Sequence, residues 1–174
     1  SASTWPGPLQ QGWPVSEWRL ILDYVVPGTP QPKPRPRAGR RGGRTAIYDD
    51  RRHPSVAYRE AVAFAAGAAR HRARVSTIPA DTPVRVDLDL VFERRRSLFR
   101  LADSEERIYK ATKPDRDNCE KLQLDAMTAA GLWSDDGVVC AGEVTKWWGA
   151  ILDRETRRSE APHVRVRLSL LADG

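Results

Sequence analysis

Residues 113–139 read KPDRDNCEKLQLDAMTAAGLWSDDGVV. A proline stands near the start, an apolar rhythm at helical spacing follows, and Gly131 stops it before a second apolar run begins. The pattern predicts a helix over Asn118–Ala130 that returns through a turn to a strand. With the chain extended as far as Asp117, the side chains of Asp115 and Asp117 project to the same side. Inside the helix Lys121 follows Asp117 by four residues and Asp125 follows Lys121 by four, so the three share one face. Cys119, Leu122, Ala126 and Ala129 form the opposite, core-facing stripe. Asp135 and Asp136 arrive where the next strand starts.

Working outward, Pro54–Arg74 reads as the clearest helix, with Pro54 in its first turn and an apolar stripe of Val56, Ala57, Ala61, Phe64, Ala65 and Ala68. Arg70, His71, Arg72 and Arg74 complement the negative end of its dipole. Trp18–Val26 reads as a strand, and Val84–Phe92 alternates as a half-buried strand does, with Asp87 and Asp89 facing outward. Thr45–Tyr48 reads as a short strand, and Val138–Trp147 and Val164–Leu171 as two closing ones. Residues 94–114 read as a long basic connection. This order predicts one α+β domain, a small mixed sheet with two main helices packed on it. Residues 1–16 are rich in Pro, Gly, Gln and Ser and read as a disordered N-terminal arm carrying Trp5 and Trp13, ahead of a domain over 17–174.

Composition narrows the functional classes. The net charge of +6 is moderate, but its distribution is uneven. Between Lys33 and Arg44 lie six basic residues (Lys33, Arg35, Arg37, Arg40, Arg41, Arg44) and no acidic one, and prolines at 30, 32, 34 and 36 hold that stretch extended. A ribbon of splayed cations beside a carboxylate cluster points to a polyanion such as DNA, with Lys113 as a further contact. Two cysteines, Cys119 and Cys140, are too few for a disulfide framework, so a reducing, cytoplasmic setting is expected. No apolar run is long enough to span a membrane, and no motif calls for a small-molecule cofactor.

The acidic residues admit two readings. If the return brings Asp136 near the start of the helix, Asp115, Asp117 and Asp136 converge into an oxygen-rich site for a hard divalent cation such as Mg²⁺. Lys121 then neutralises charge on a phosphodiester. The other reading is structural: Asp117 and Glu120 form a capping box, Lys121 and Asp125 a solvated pair, and Asp135-Asp136-Gly137 a plain turn. A PD-(D/E)xK nuclease motif opens at Pro114-Asp115 but fails, because Glu143-Val-Thr-Lys146 is one residue too long.

Taken together, Asp115-x-Asp117-Asn118-x-x-Lys121-x-x-x-Asp125-Ala126 and the following Gly131-Leu132-Trp133-x-Asp135-Asp136 closely resemble the signature of RusA-type Holliday-junction resolvases. The upstream Gly28-x-Pro30-x-Pro32-Lys33-x-Arg35-Pro36-Arg37 is similar to an N-terminal motif of that family. The resemblance implies a homodimeric nuclease that nicks four-way junctions symmetrically with Mg²⁺, or Mn²⁺ in its place. It implies that Asp115, Asp117 and Asp136 are metal ligands, that Lys121 is the essential lysine, and that Asp125 and Asp135 match supporting acidic positions. Cys119 and Met127 depart from the aliphatic residues common in the family, and the N-terminal arm and the 94–112 connection are long. A non-catalytic branched-DNA-binding module, or a nuclease for flaps and other branched DNA, are the competing expectations.

Overall fold

Strand β1, Trp18–Pro27, turns Leu22, Tyr24 and Val26 inward and Asp23 and Val25 outward, as its alternation requires. The computed structural model describes residues 17–34, 37–41, 44–48 and 53–172, with 37–41 and 44–48 described by their backbone alone. Those two segments are β2, Arg37–Arg41, and β3, Arg44–Tyr48, paired as an antiparallel hairpin. The sequence reading had only a basic ribbon and one short strand there. Helix α1 spans Pro54–Arg72, and β4 spans Val84–Phe92. Then come β5, Ile108–Tyr109, helix α2, Arg116–Ala129, and β6 and β7, Val139–Ala141 and Val144–Trp148. A small hairpin, β8 Ile151–Asp153 with β9 Arg158–Ser159, precedes β10, His163–Leu171.

The main sheet runs β1-β10-β4-β7-β5, with β6 also beside β4. Pairing is antiparallel except that β4 lies parallel to β6 and β7, so the sheet is mixed and the single domain is α+β as expected. A parallel neighbour needs a long crossover, and residues 93–138 with α2 supply it. The expected strand over 138–147 is two strands, because the chain breaks at Gly142. There φ is +145°, and a Cβ would sit 1.9 Å from the Val86 carbonyl oxygen, so only glycine fits.

One face of the sheet, carrying Val84, Val86, Leu88, Leu90, Val164, Val166 and Leu168, forms a single core with both helices. Trp133 is 1% exposed at the end of α2, and its Nε1 donates to Thr128 Oγ1 at 2.7 Å. Within α1 the buried positions are Ser55, Tyr58, Val62, Ala66 and Ala69, not the stripe read from the sequence. That helix is alanine-rich, so hydrophobicity distinguishes its faces poorly. Tyr58 and Val62 set its rotation, and Phe64 is left 79% exposed. In α2, Cys119, Leu122 and Ala126 are buried as expected, joined by Gln123 and Met127, whereas Ala129 is exposed.

The opposite sheet face is a ladder of ion pairs. Asp23 pairs with Arg165 at 2.7 Å, Asp87 with Arg85 at 2.9 Å and Asp89 with Arg167 at 3.3 Å, while Asp89 also accepts from Trp147 Nε1. Asp87 and Asp89 do face outward, and their carboxylates are committed to these partners.

Candidate active site

Helix α2 starts two residues earlier than its apolar pattern indicates. Asp115 is its N-cap, with extended backbone (φ −68°, ψ 139°), and Asp117 lies inside the first turn. The extended geometry assumed for Asp117 therefore ends at Asp115. A capping box from Asp117 is also excluded, since that residue is already helical. The Asp115 side chain makes no capping hydrogen bond, which leaves its carboxylate for other work. Both carboxylates are exposed at the N-terminal end of the helix.

Lys121 and Asp125 continue the outward face of α2. Lys121 is exposed, and Asp125 forms an ion pair with Lys33, Nζ to Oδ2 2.7 Å. The Lys33 amide also donates to the Asn118 carbonyl at 2.9 Å, which docks the proline-rich segment on the first turns of α2. Two motifs far apart in the chain thus meet. They flank a depression of about 470 Å³ lined by Lys33, Arg59, Asp125, Ser134, Asp135 and Asp136.

In the return turn Asp135 accepts from the Gly137 amide at 2.7 Å, so Asp135 has the structural task expected of a turn aspartate. Asp136 begins a short 3-10 turn, Asp136–Val138, and is exposed. This turn lies beside the second half of α2, in the depression with Asp125 and Thr128. Asp117 and Asp125 alone are eight residues apart, about 12 Å along the axis. Asp115 and Asp117 lie at the N-terminal end of the helix and outside the lining of that depression, which Asp136 shares with Asp125. Among the described residues no group of three His, Cys, Asp or Glu side chains is disposed to hold a metal ion. The donor types suit a hard cation, and Asp115 with Asp117 supplies the one or two carboxylates that Mg²⁺ requires from protein.

Of the other expected DNA contacts, Lys113 is exposed just before α2. Arg35 lies outside the described residues, as do the side chains of Arg37, Arg40, Arg41 and Arg44 on the β2–β3 hairpin.

Sequence reading missed two sets of cations. Arg94, 3% exposed, donates to the carbonyls of Gly149 (2.8 Å), Ser104 (2.6 Å), Leu98 (3.5 Å) and Glu106, and Arg154 donates to those of Arg100 and Asp103. These bonds replace the backbone pairing that the 94–107 connection lacks. Lys110 and Lys146 hold the segment that leads into Asp115: Lys146 Nζ donates to the carbonyls of Thr112 (2.7 Å) and Pro114 (2.8 Å). The only sequence signal for Lys146 was the motif that failed by one residue.

Among the described residues no helix is long and apolar enough to cross a membrane. The family model described as endodeoxyribonuclease RusA matches residues 27–168, from the end of β1 into β10. A comparison with curated proteins finds no match.

Proposed function

The chain belongs to the endodeoxyribonuclease RusA family, and we propose that it resolves four-way DNA junctions as a homodimer, by paired symmetric nicks that depend on Mg²⁺ or Mn²⁺. Membership makes it an endodeoxyribonuclease of the Holliday-junction-resolving, recombination class with branched DNA as substrate. The metal, the residues that hold it and the dimer belong to the proposal. We assign the work to the cytoplasm of a bacterial or phage-infected cell, where such junctions arise.

The observation that carries the reading is the first turn of α2, where Asp115 is an N-cap whose side chain caps nothing and Asp117 stands exposed beside it. Asp115 and Asp117 are the proposed protein ligands of the ion, with Asp136 as a third carboxylate. A bound divalent cation lowers the pKa of water and offsets charge on the phosphodiester. Lys121, one turn after Asp117, faces the same side and is assigned to the phosphate. Lys33, Arg35, Arg37, Arg40, Arg41, Arg44 and Lys113 are assigned to the DNA backbone.

A two-fold enzyme suits a two-fold substrate, since clean resolution needs two opposed strands cut. The dimer is supported by an apolar groove of about 690 Å³ between α1 and β1, the terminal strand of the sheet, lined by Ile21, Val25, Ala61, Phe64, Ala65 and Ala68. Among the described residues β1 pairs with β10 alone, and a terminal strand beside exposed apolar side chains is a ready surface for a second copy.

The test is a synthetic four-way junction incubated with Mg²⁺, with Mn²⁺ and with excess EDTA. Symmetric nicks in the first two and none in the third are expected. Cleavage in EDTA overturns the metal reading, and preferential cutting of flaps in the same gel overturns the junction reading.

A further inference from the structure

Two lysines stand opposite each other where β5 and β7 run beneath the loop that enters α2. Tyr109 pairs with Trp147, and on the next rung the Lys110 amide donates to the Lys146 carbonyl at 2.9 Å. Like charges directly opposite on antiparallel strands are unfavourable. Burial makes it worse. Lys110 is 5% exposed, its Nζ 4.4 Å from the ring centre of Trp148 and 4.9 Å from that of Phe92. The Arg95 guanidinium lies over the same Trp148 ring. Burial first, then Lys146 and Arg95, push the Lys110 ammonium down to about 8. A core needing only to pack would place an apolar side chain there.

The acceptors explain the arrangement. Lys110 Nζ donates to Thr112 Oγ1 at 2.6 Å, to the Thr112 carbonyl at 3.1 Å and to the Lys113 carbonyl. Lys146 Nζ takes the Thr112 and Pro114 carbonyls. Each carbonyl from Thr112 to Pro114 is thus bound to an ammonium. The Pro114 carbonyl lies in the same rigid peptide plane as the amide nitrogen of Asp115. Fixing that plane leaves little freedom between the strand and the Asp115 side chain. Neither lysine is free for DNA, since one is buried and the other is half-buried and doubly bonded. The Cys119 thiol, held up at about 11 chiefly by burial, feels Lys146 and Lys110 in one direction and Asp115 and Asp117 in the other, so the four charges share one neighbourhood.

We propose that Lys110 and Lys146 are positioning residues that orient the Asp115 carboxylate for its metal by clamping the Thr112–Pro114 carbonyls. The inference rests on the reading of Asp115 as a metal ligand.

The test compares Lys146→Met, Lys146→Arg and Lys146→Gln with the unsubstituted protein and with Asp115→Asn. Melting is followed by circular dichroism, Mn²⁺ binding without DNA by electron paramagnetic resonance, junction affinity in EDTA by gel shift, and nicking across a metal titration. Lys146→Met is expected to bind the junction within about twofold of the unsubstituted protein, because it touches no phosphate. Its Mn²⁺ affinity should fall about tenfold or more, as when the partner of a ligand is lost. Lys146→Arg, which keeps charged donors, should recover most of that loss, with Lys146→Gln between them. Unchanged Mn²⁺ affinity in Lys146→Met overturns the proposal. So does a loss that merely tracks the melting temperature and is not rescued by arginine. Should Lys146→Met fail to fold, Gln and Arg variants with equal Mn²⁺ affinity overturn it as well. If Asp115→Asn binds Mn²⁺ and nicks normally, the ligand reading itself fails. If Asp115→Asn is inactive while Lys146→Met is unaffected, only the clamp fails.

Discussion

Lys33 and Asp125 form an ion pair, Nζ to Oδ2 2.7 Å, that ties the proline-rich segment after β1 to the outward face of α2. Both side chains are substantially exposed, at 50% and 31%. Such a pair contributes little to stability and much to placement. It brings a cation of the basic stretch to the depression that also holds Asp135 and Asp136.

Asp125→Ala should therefore cost less than about 1 kcal/mol in urea unfolding. Lys33→Met should weaken junction binding and make the slope of log K against log salt shallower by about 0.9, the effect of one phosphate contact. An unchanged salt slope would show that Lys33 serves Asp125 alone.

Asp117→Asn should lose nicking by on the order of 10²-fold or more, since a metal contributes several kcal/mol of charge stabilisation. Its junction affinity should hold, and Asp136→Asn should behave alike. Asp135→Asn should mainly weaken the turn, because that carboxylate accepts from the Gly137 amide. Gel shift and nicking on one labelled junction separate these outcomes. If Asp136→Asn cuts normally, the site is confined to the first turn of α2.

Arg94→Leu should destabilise the fold by roughly 3 kcal/mol, because the buried carbonyl of Gly149 and the partly buried ones of Ser104 and Glu106 lose their donor. The midpoint of urea unfolding reports it. A loss below about 0.5 kcal/mol would mean that water replaces the guanidinium.

Glu160 gives a pH signature. The Arg107 guanidinium chiefly, helped by the Ala150 amide and His163, holds its carboxyl below the ordinary 4.5 against the opposing effect of burial. A carboxyl depressed on folding stabilises fully above its unfolded value and loses that contribution as pH falls through the folded one. Glu160→Gln should thus be less stable by about 1 kcal/mol at neutral pH. The gap should close as pH drops below about 4.5. Melting curves at stepped pH would show a constant gap if the pair contributes nothing electrostatic.

If the proposed homodimer forms through the groove between α1 and β1, Phe64→Glu should leave it monomeric without unfolding it, since the side chain is already 79% exposed. Sedimentation velocity measures the mass. An unaltered dimer would place the two-fold contact elsewhere.

The local patterns were legible because they depend on neighbours a few residues apart. Alternation marked β4, apolar and β-branched runs marked β1 and β10, and four-residue spacing put Asp117, Lys121 and Asp125 on one side of α2. The signature residues alone pointed to the family that the model match over residues 27–168 shows. Where side chains carry little contrast, the reading slipped: the alanines of α1 fit more than one face, and only packing of Tyr58 and Val62 fixed its rotation. A two-residue strand such as β5 has too short a pattern to be seen.

What the sequence determined by itself was the two helices and the three long strands, the class of enzyme and the short list of acidic and basic residues. Tertiary structure alone decided that Lys146 stands opposite Lys110 and holds the Thr112 and Pro114 carbonyls. Those relations depend on the parallel pairing of β4 with β7 across a crossover of some fifty residues. No local spacing encodes such a register, because it is chosen by the burial of the whole sheet face at once.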